Sequence, residues 1–270
     1  MATQYPQVTI PNTEVRGVSS SNVGQEFKIF VALPRSYADL DKTYPVLYVL
    51  DANGTFGMFA ETIRMLQFGE ELPEMIIVGI AYPVNGFVET LGLRARDYTP
   101  TVDSEWFDEY VESRPEIAKS GGTGGAGNFL KFLREELMPF IQSNYRIDPE
   151  DKAIAGASFG GLFALYTLFH YPDTFNRYII GSPSIWWDEA VTFTYESEFA
   201  ASNVDLSAKV FMSVGALEAE HVIAPMQMLA RTLQDRGYDS LDLKTHIFED
   251  EAHMSACLAG VSRGLRAVCG

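Results

Sequence analysis

An α/β fold built on a central, mostly parallel sheet is predicted by three observations. Short apolar runs alternate along the chain with stretches of helical periodicity. The central runs are apolar almost continuously, as strands covered by helices on both faces must be. No repeat, low-complexity tail or proline-rich linker divides the 270 residues, so one domain over 1–270 is expected.

The elements follow in order. Val8 to Val18 alternates loosely, and Glu26 to Leu33 reads as a second strand that ends at Pro34. These N-terminal strands are expected to be antiparallel. The central strands are Pro45 to Leu50, Met75 to Tyr82, Lys152 to Ala157, Arg177 to Ile180, Lys209 to Val214 and Leu243 to Phe248. Helices fall between them. Phe129, Leu130, Leu133, Leu137, Phe140 and Ile141 share one 3.6-period face, and Pro139 inside that stretch predicts a kink or an early end. Leu162 to Phe169 is apolar nearly all round and reads as a buried helix. Pro225 marks the first residue of a helix that ends before Gly237, and Met254 to Val268 is the last helix. Two connections, 83–127 and 182–208, are unusually long and rich in acidic and aromatic residues. Loops of that length inside a compact domain predict lid-like or pocket-forming segments.

Composition narrows the function. With 47% hydrophobic residues the chain has ample side chain for a core, which excludes disorder. A formal net charge of −16 argues against a nucleic-acid partner, because phosphate binding needs basic patches. No apolar run approaches the ~20 residues of a membrane span, so no membrane partner is expected. Met1 to Pro6 lacks the basic and apolar regions of a signal peptide, which points to the cytoplasm.

The sharpest feature is Gly156-Ala157-Ser158-Phe159-Gly160, a G-x-S-x-G match between a predicted strand and a predicted helix. That setting is a nucleophile elbow, in which a tight turn aims the serine hydroxyl out of the sheet. A serine hydroxyl needs a base, and the base needs an orienting acid. Of the four histidines, His253 lies just beyond the last strand, where a base would sit. His170 closes a helix, His246 lies within a strand, and His221 opens a helix, where an exposed position or anion contact is expected. The acid should fall between serine and histidine in the chain. Glu218 and then Glu220 qualify, just after the Lys209 strand, where ligand and catalytic groups gather in open α/β sheets. Asp250 fits the order less well. The oxyanion hole should take the backbone N–H of Phe159 and that of Asn53, or of its neighbour Gly54, in the loop after Leu50.

These residues resemble a family. Tyr44 to Asp51, Arg96-Asp97-Tyr98-Thr99-Pro100-Thr101, Phe129 to Tyr145, the Ser158 elbow, Gly181-Ser182-Pro183-Ser184-Ile185-Trp186-Trp187, Gly215 to Glu218 and Glu251-Ala252-His253 together look like the putative-esterase group of α/β-hydrolases. That group includes enterochelin-type siderophore esterases, S-formylglutathione hydrolase and the mycolyltransferases; the likeness is greatest to the first. The resemblance implies an α/β-hydrolase fold with Ser158 as nucleophile, His253 as base and Glu218 as the glycine-x-x-acid carboxylate. Siderophore esterases of this type can also work as a Ser–His pair with a weak or missing acid. The chain departs from many relatives in carrying Asp51-Ala52 where they carry Asp-Gly.

The expected activity is therefore serine carboxylic-ester hydrolysis through an acyl-enzyme, on a small-molecule ester with a short or small acyl group. Siderophore trilactone hydrolysis, acyl transfer and a non-catalytic binding role are the alternatives. Neither cofactor nor metal is expected. Trp186 and Trp187 are candidate pocket residues, with Phe159, Phe56 and Phe87 as possible neighbours. Arg96 would either steer an anionic acyl group or pair with a carboxylate inside the fold. Gly122 to Gly127 matches G-x-G-x-x-G, but no strand leads into it, so a hinge is expected rather than a dinucleotide site. Cys257 and Cys269 read as buried thiols.

Overall fold

A computed structural model describes residues 8–84, 87–115 and 121–270, with the backbone alone at residues 87 and 88. Among the described residues, eight strands form one sheet: β1 (Thr13–Ser20), β2 (Gln25–Ala32), β3 (Tyr44–Val49), β4 (Ile76–Ala81), β5 (Ile147–Ala157), β6 (Arg177–Gly181), β7 (Ala208–Gly215) and β8 (Leu241–Phe248). Their spatial order is β1-β2-β4-β3-β5-β6-β7-β8. Only β2 runs against its neighbours; every pairing from β4 to β8 is parallel. The expected mixed sheet is therefore present, and the carboxyl ends of β3 to β8 share one edge.

The helices are α1 (Ala52–Phe68), α2 (Phe87–Tyr98), α3 (Ser104–Ser113), α4 (Ala126–Lys131), α5 (Met138–Asn144), α6 (Phe159–His170), α7 (Trp187–Ala190), α8 (Thr192–Ser202), α9 (Glu220–Arg236) and α10 (His253–Cys269). Successive side chains of a strand leave opposite faces of the sheet. In β3, Val46 and Tyr48 enter the apolar layer that holds Phe163 of α6 and Leu229 of α9. Leu47 and Val49 enter the layer of Ile63 from α1 and Leu265 from α10. Both faces are thus covered, which is why the central strands read as unbroken apolar runs.

Four expectations need correction. The 83–127 connection contains α2 and α3, and the 182–208 connection contains α7 and α8, so neither is a bare loop. α3 starts at an Asp103 cap, whose carboxylate accepts the Trp106 N–H at 2.9 Å. Its inner face is aromatic (Trp106, Tyr110) among acids, which hid its period. The first strand begins at Thr13 rather than Val8. Pro225 lies inside α9, which starts at Glu220, so the helix simply forgoes the one hydrogen bond that proline cannot donate. Pro139 does not end its helix. The distortion takes the form of a π-helical stretch, Phe132–Leu137, that absorbs the missing donor before the helix runs on to Asn144. No helix among the described residues is long and apolar enough to cross a membrane.

Candidate active site

The residue between β5 and α6 is Ser158, with φ 57° and ψ −120°. A residue with a side chain adopts positive φ at a cost of about 1–3 kcal/mol, so neighbours must hold it there. They do so from three directions. The Ser158 N–H donates to the Gly181 carbonyl at 2.9 Å. The Ser158 carbonyl accepts from Leu162 N–H at 3.0 Å and Ser184 N–H at 3.1 Å. A Cβ on Gly156 would come within 2.5 Å of the Gly160 carbonyl oxygen, so the turn can close this tightly only with glycine there. The Ser158 hydroxyl lies 3.4 Å from the buried Ser184 hydroxyl.

Glu218 and His253 come together along the same sheet edge. The loop after β7 turns sharply: the Glu218 N–H returns to the Gly215 carbonyl at 3.2 Å. The backbone of Glu251, after β8, fills the space where a Gly215 side chain would be. His253 opens α10, and the Ser255 hydroxyl accepts the Ala252 N–H at its cap. The His253 Nδ1–H donates to Glu218 Oε2 at 2.6 Å. The Glu218 side chain is only 1% exposed, whereas His253 is 42% exposed. A carboxylate can only accept, so the ring proton belongs on Nδ1 and Nε2 keeps its lone pair. Glu220, the other acid candidate, is exposed on the first turn of α9, and Asp250 is exposed in the turn before α10.

The opposite flank of the elbow is built by Asp51 and Arg94. Asp51 follows β3 at φ 55° and caps α1. Arg94 of α2 grips it with two hydrogen bonds, Nε to Oδ1 at 2.7 Å and Nη2 to Oδ2 at 3.0 Å. Nη2 also donates to the Ala157 carbonyl at 3.2 Å, one residue before Ser158. Burial alone would lower the Arg94 pKa, but the charge and hydrogen bonds of Asp51 outweigh burial and raise it. The first N–H groups of α1 (Ala52, Asn53) and of α6 (Phe159) have no partner within their own helices. They are the natural donors to an anion. The Asn53 side chain is committed elsewhere, donating to the Tyr82 carbonyl at 2.9 Å and accepting its N–H at 2.7 Å.

An aromatic cluster adjoins the elbow. Phe159 meets Trp106 of α3 and Trp187 of α7 edge-to-face at 5.3 Å each, and Trp186 at 6.1 Å. Trp187 is fully buried, with its ring N–H donating to Thr101 at 2.9 Å, so it is a wall of the core rather than open surface. Trp186 stays half-buried and reaches His221 at 6.0 Å. Phe56 packs away from this cluster, against Phe30. The Phe87 side chain lies outside the described residues.

Arg96 is drawn into the fold instead of the site. It pairs with the buried Asp97 at 2.6 Å and donates to Gln25 at 2.8 Å, the second of the two readings its sequence allowed. Burial raises the Asp97 pKa despite that pairing. The residues that sequence reasoning missed are Arg94, Asp51, Trp106 and Ser182. Arg94 is two positions from the arginine that drew notice, and Ser182 follows the end of β6, so position alone pointed to both.

The remaining candidates have structural settings. His170 packs between Tyr166, tilted at 4.3 Å, and Tyr195, edge-to-face at 4.4 Å. His246 meets Phe248, with its pKa lowered by burial and then by Arg263. Residues 121–127 pack on the end of α2: the Gly125 N–H donates to the Arg96 carbonyl at 2.7 Å, and the Gly124 N–H donates to the Thr99 hydroxyl at 2.8 Å.

The family model described as Putative esterase matches residues 20–242. The chain is 35% identical over 268 residues to Ferri-bacillibactin esterase BesA of Bacillus subtilis, covering 96% of this chain and 90% of that protein. It is 28% identical over 288 residues to the Siderophore triacetylfusarinine C esterase of Aspergillus fumigatus, covering 96% and 93%. Among solved structures, the BES protein from Bacillus cereus superposes with a TM-score of 0.86 at 32% identity, over 100% of this chain and 99% of that one.

Proposed function

The chain belongs to the Putative esterase family of α/β-hydrolase fold, an ester-hydrolysing enzyme, and from that premise we propose that it works as a serine esterase through an acyl-enzyme. One observation carries the reading: a buried Glu218 carboxylate holds His253 by Nδ1 along the sheet edge where Ser158 sits in a strained turn. Ser158 Oγ attacks the ester carbonyl carbon while His253 Nε2 takes its proton. The oxyanion is held by the Phe159 N–H and by an N–H at the start of α1, from Ala52 or Asn53. Collapse breaks the C–O bond, and His253 returns the proton to the departing alcohol. Water, deprotonated by His253, then releases the acid and restores Ser158. Arg94 serves as a clamp, tying the Asp51 turn to the Ala157 carbonyl so that the two oxyanion donors keep their spacing.

For substrate, the proposed class is a siderophore ester. The named activities of the two relatives support this, since each aligns over 96% of the chain. The half-buried Trp186 and Trp106 beside Phe159 offer flat apolar surface for a large, ring-bearing ligand. The test is hydrolysis of ferri-bacillibactin beside p-nitrophenyl esters from acetate to dodecanoate, with wild type and Ser158→Ala. Turnover of the siderophore at higher kcat/KM than every p-nitrophenyl ester, absent in the variant, is expected. A preference for p-nitrophenyl acetate would return the short-acyl reading.

A further inference from the structure

Glu218 has two carboxylate oxygens and three donors, and their distribution is uneven. The Gly215 N–H at 2.8 Å and the Ser182 hydroxyl at 2.5 Å both go to Oε1. Oε2 is left to His253. A glutamate carboxylate turns easily about its last torsion, whose preferences are broad and two-fold. With one donor on Oε1, the group could still swing about that bond. A second donor, from a different strand end, stops the swing and aims Oε2.

Ser182 is itself well held. It is 1% exposed, its φ is 41°, and its N–H donates to the Ser213 carbonyl at 2.7 Å. Its chain neighbour Gly181 accepts the Ser158 N–H. The last residue of β6 and the one after it therefore hold the nucleophile's backbone and the acid's side chain. Gly215 ends β7 and Ser182 directly follows the neighbouring β6, so the carboxylate is referenced to the sheet rather than to its own loop alone.

We propose that Ser182 is a positioning residue for the esterase reaction: its hydroxyl locks the Glu218 carboxylate so that one chosen oxygen orients the His253 ring. The assignment rests on the Ser158–His253–Glu218 reading above. Ser182 touches neither substrate nor reacting atoms; it acts through Glu218.

The test uses the full-length chain with p-nitrophenyl acetate as probe. Ser182→Ala is expected to lower kcat about 10- to 100-fold, with KM within about two-fold, as loss of one hydrogen bond to a charged group implies. The far-downfield proton signal of a carboxylate-bound imidazole should weaken or vanish in Ser182→Ala. In a Glu218→Gln background, Ser182→Ala should cost nothing more, because the group it positions is gone. Wild-type kcat and an unchanged proton signal in Ser182→Ala would overturn the proposal, as would losses that simply multiply in the double variant. If Glu218→Gln alone kept full kcat, the acid assignment would fall first and the role of Ser182 with it. If it lost kcat while Ser182→Ala did not, only Ser182 would be withdrawn. Should Ser182→Ala not fold, Ser182→Cys replaces it, and wild-type turnover in that weak donor counts against the proposal.

Discussion

Glu218 with His253 and Asp51 with Arg94 stand on either side of Ser158, at 2.6 and 2.7 Å, along one edge of one sheet. Their separations are nearly equal. Their partners differ in whether they give up a proton. Imidazole exchanges protons near neutral pH and here opens to solvent at 42% exposure. Guanidinium keeps its proton throughout, grips both carboxylate oxygens, and is 14% exposed. The first pair can therefore serve a reaction, while the second serves the backbone around it. Closeness of charges alone does not identify a catalytic pair; the proton inventory of the partner does.

The most severe way to probe this contrast is to remove what both pairs surround. Ser158→Ala should lower kcat by about 10⁶-fold, the scale seen for nucleophile loss in serine hydrolases. Its thermal midpoint should stay within a few degrees, and steady-state assay with a melting curve reads both. Next, Glu218→Gln should lower kcat by about 10³- to 10⁴-fold while leaving KM nearly unchanged. The contrast breaks if that variant loses stability and keeps its rate.

Arg94→Met should show the reverse emphasis. It strands the Asp51 charge beside the elbow, at a cost of about 3 kcal/mol. That figure is the low end for a broken buried pair, because Asp51 keeps 23% of its side-chain surface in water. Urea unfolding measures it. A fall in kcat with no change in unfolding free energy would move Arg94 from clamp to reactant contact.

The mildest probe is Cys257, which feels both carboxylates. Burial first, then the charges of Glu218 and Asp51, pushes its thiol up to about 11. The unfolded thiol ionises near 9, so folding stability from this group is full below pH 9 and drains away as pH rises through 11. Iodoacetamide should label Cys257 slowly at pH 8 in the folded protein and rapidly after unfolding, because the thiolate is the reactive form. Fast labelling at pH 8 without unfolding would show that the thiol is open to water rather than held up by burial and the two charges.

Much of this molecule is legible in its residues. The strand runs are unmistakable because both faces are covered, and Gly156 to Gly160 has a strand before it and a helix after it. Glu218 qualified by its place just after β7, with Glu220 beside it, and the resemblance implied the glycine-x-x-acid spacing that the tight turn explains. Other parts are invisible for physical reasons. α3 is held by aromatic contacts with Phe159 and Trp187 from distant segments, so its own sequence is a poor guide. Arg94 and Arg96 are equivalent by type, and only α2 decides which one faces the elbow and which faces Asp97. Trp187 reads like its neighbour Trp186, yet one is sealed in the core and the other is not. Tertiary direction, rather than composition, separates each of these pairs.

Among the described residues, β8 is the outermost strand on its side of the sheet, bonded to β7 alone, and none of its residues is fully buried. His253 begins only a short turn beyond it. Edge elements with few buried contacts open at lower free energy than the core they border. The proposed base thus sits one short turn beyond an edge strand, on a helix that packs on β6 and β7, while Ser158 is mounted next to the centre of the sheet. Warming should silence the enzyme before the protein melts, and cooling should revive it without refolding the core.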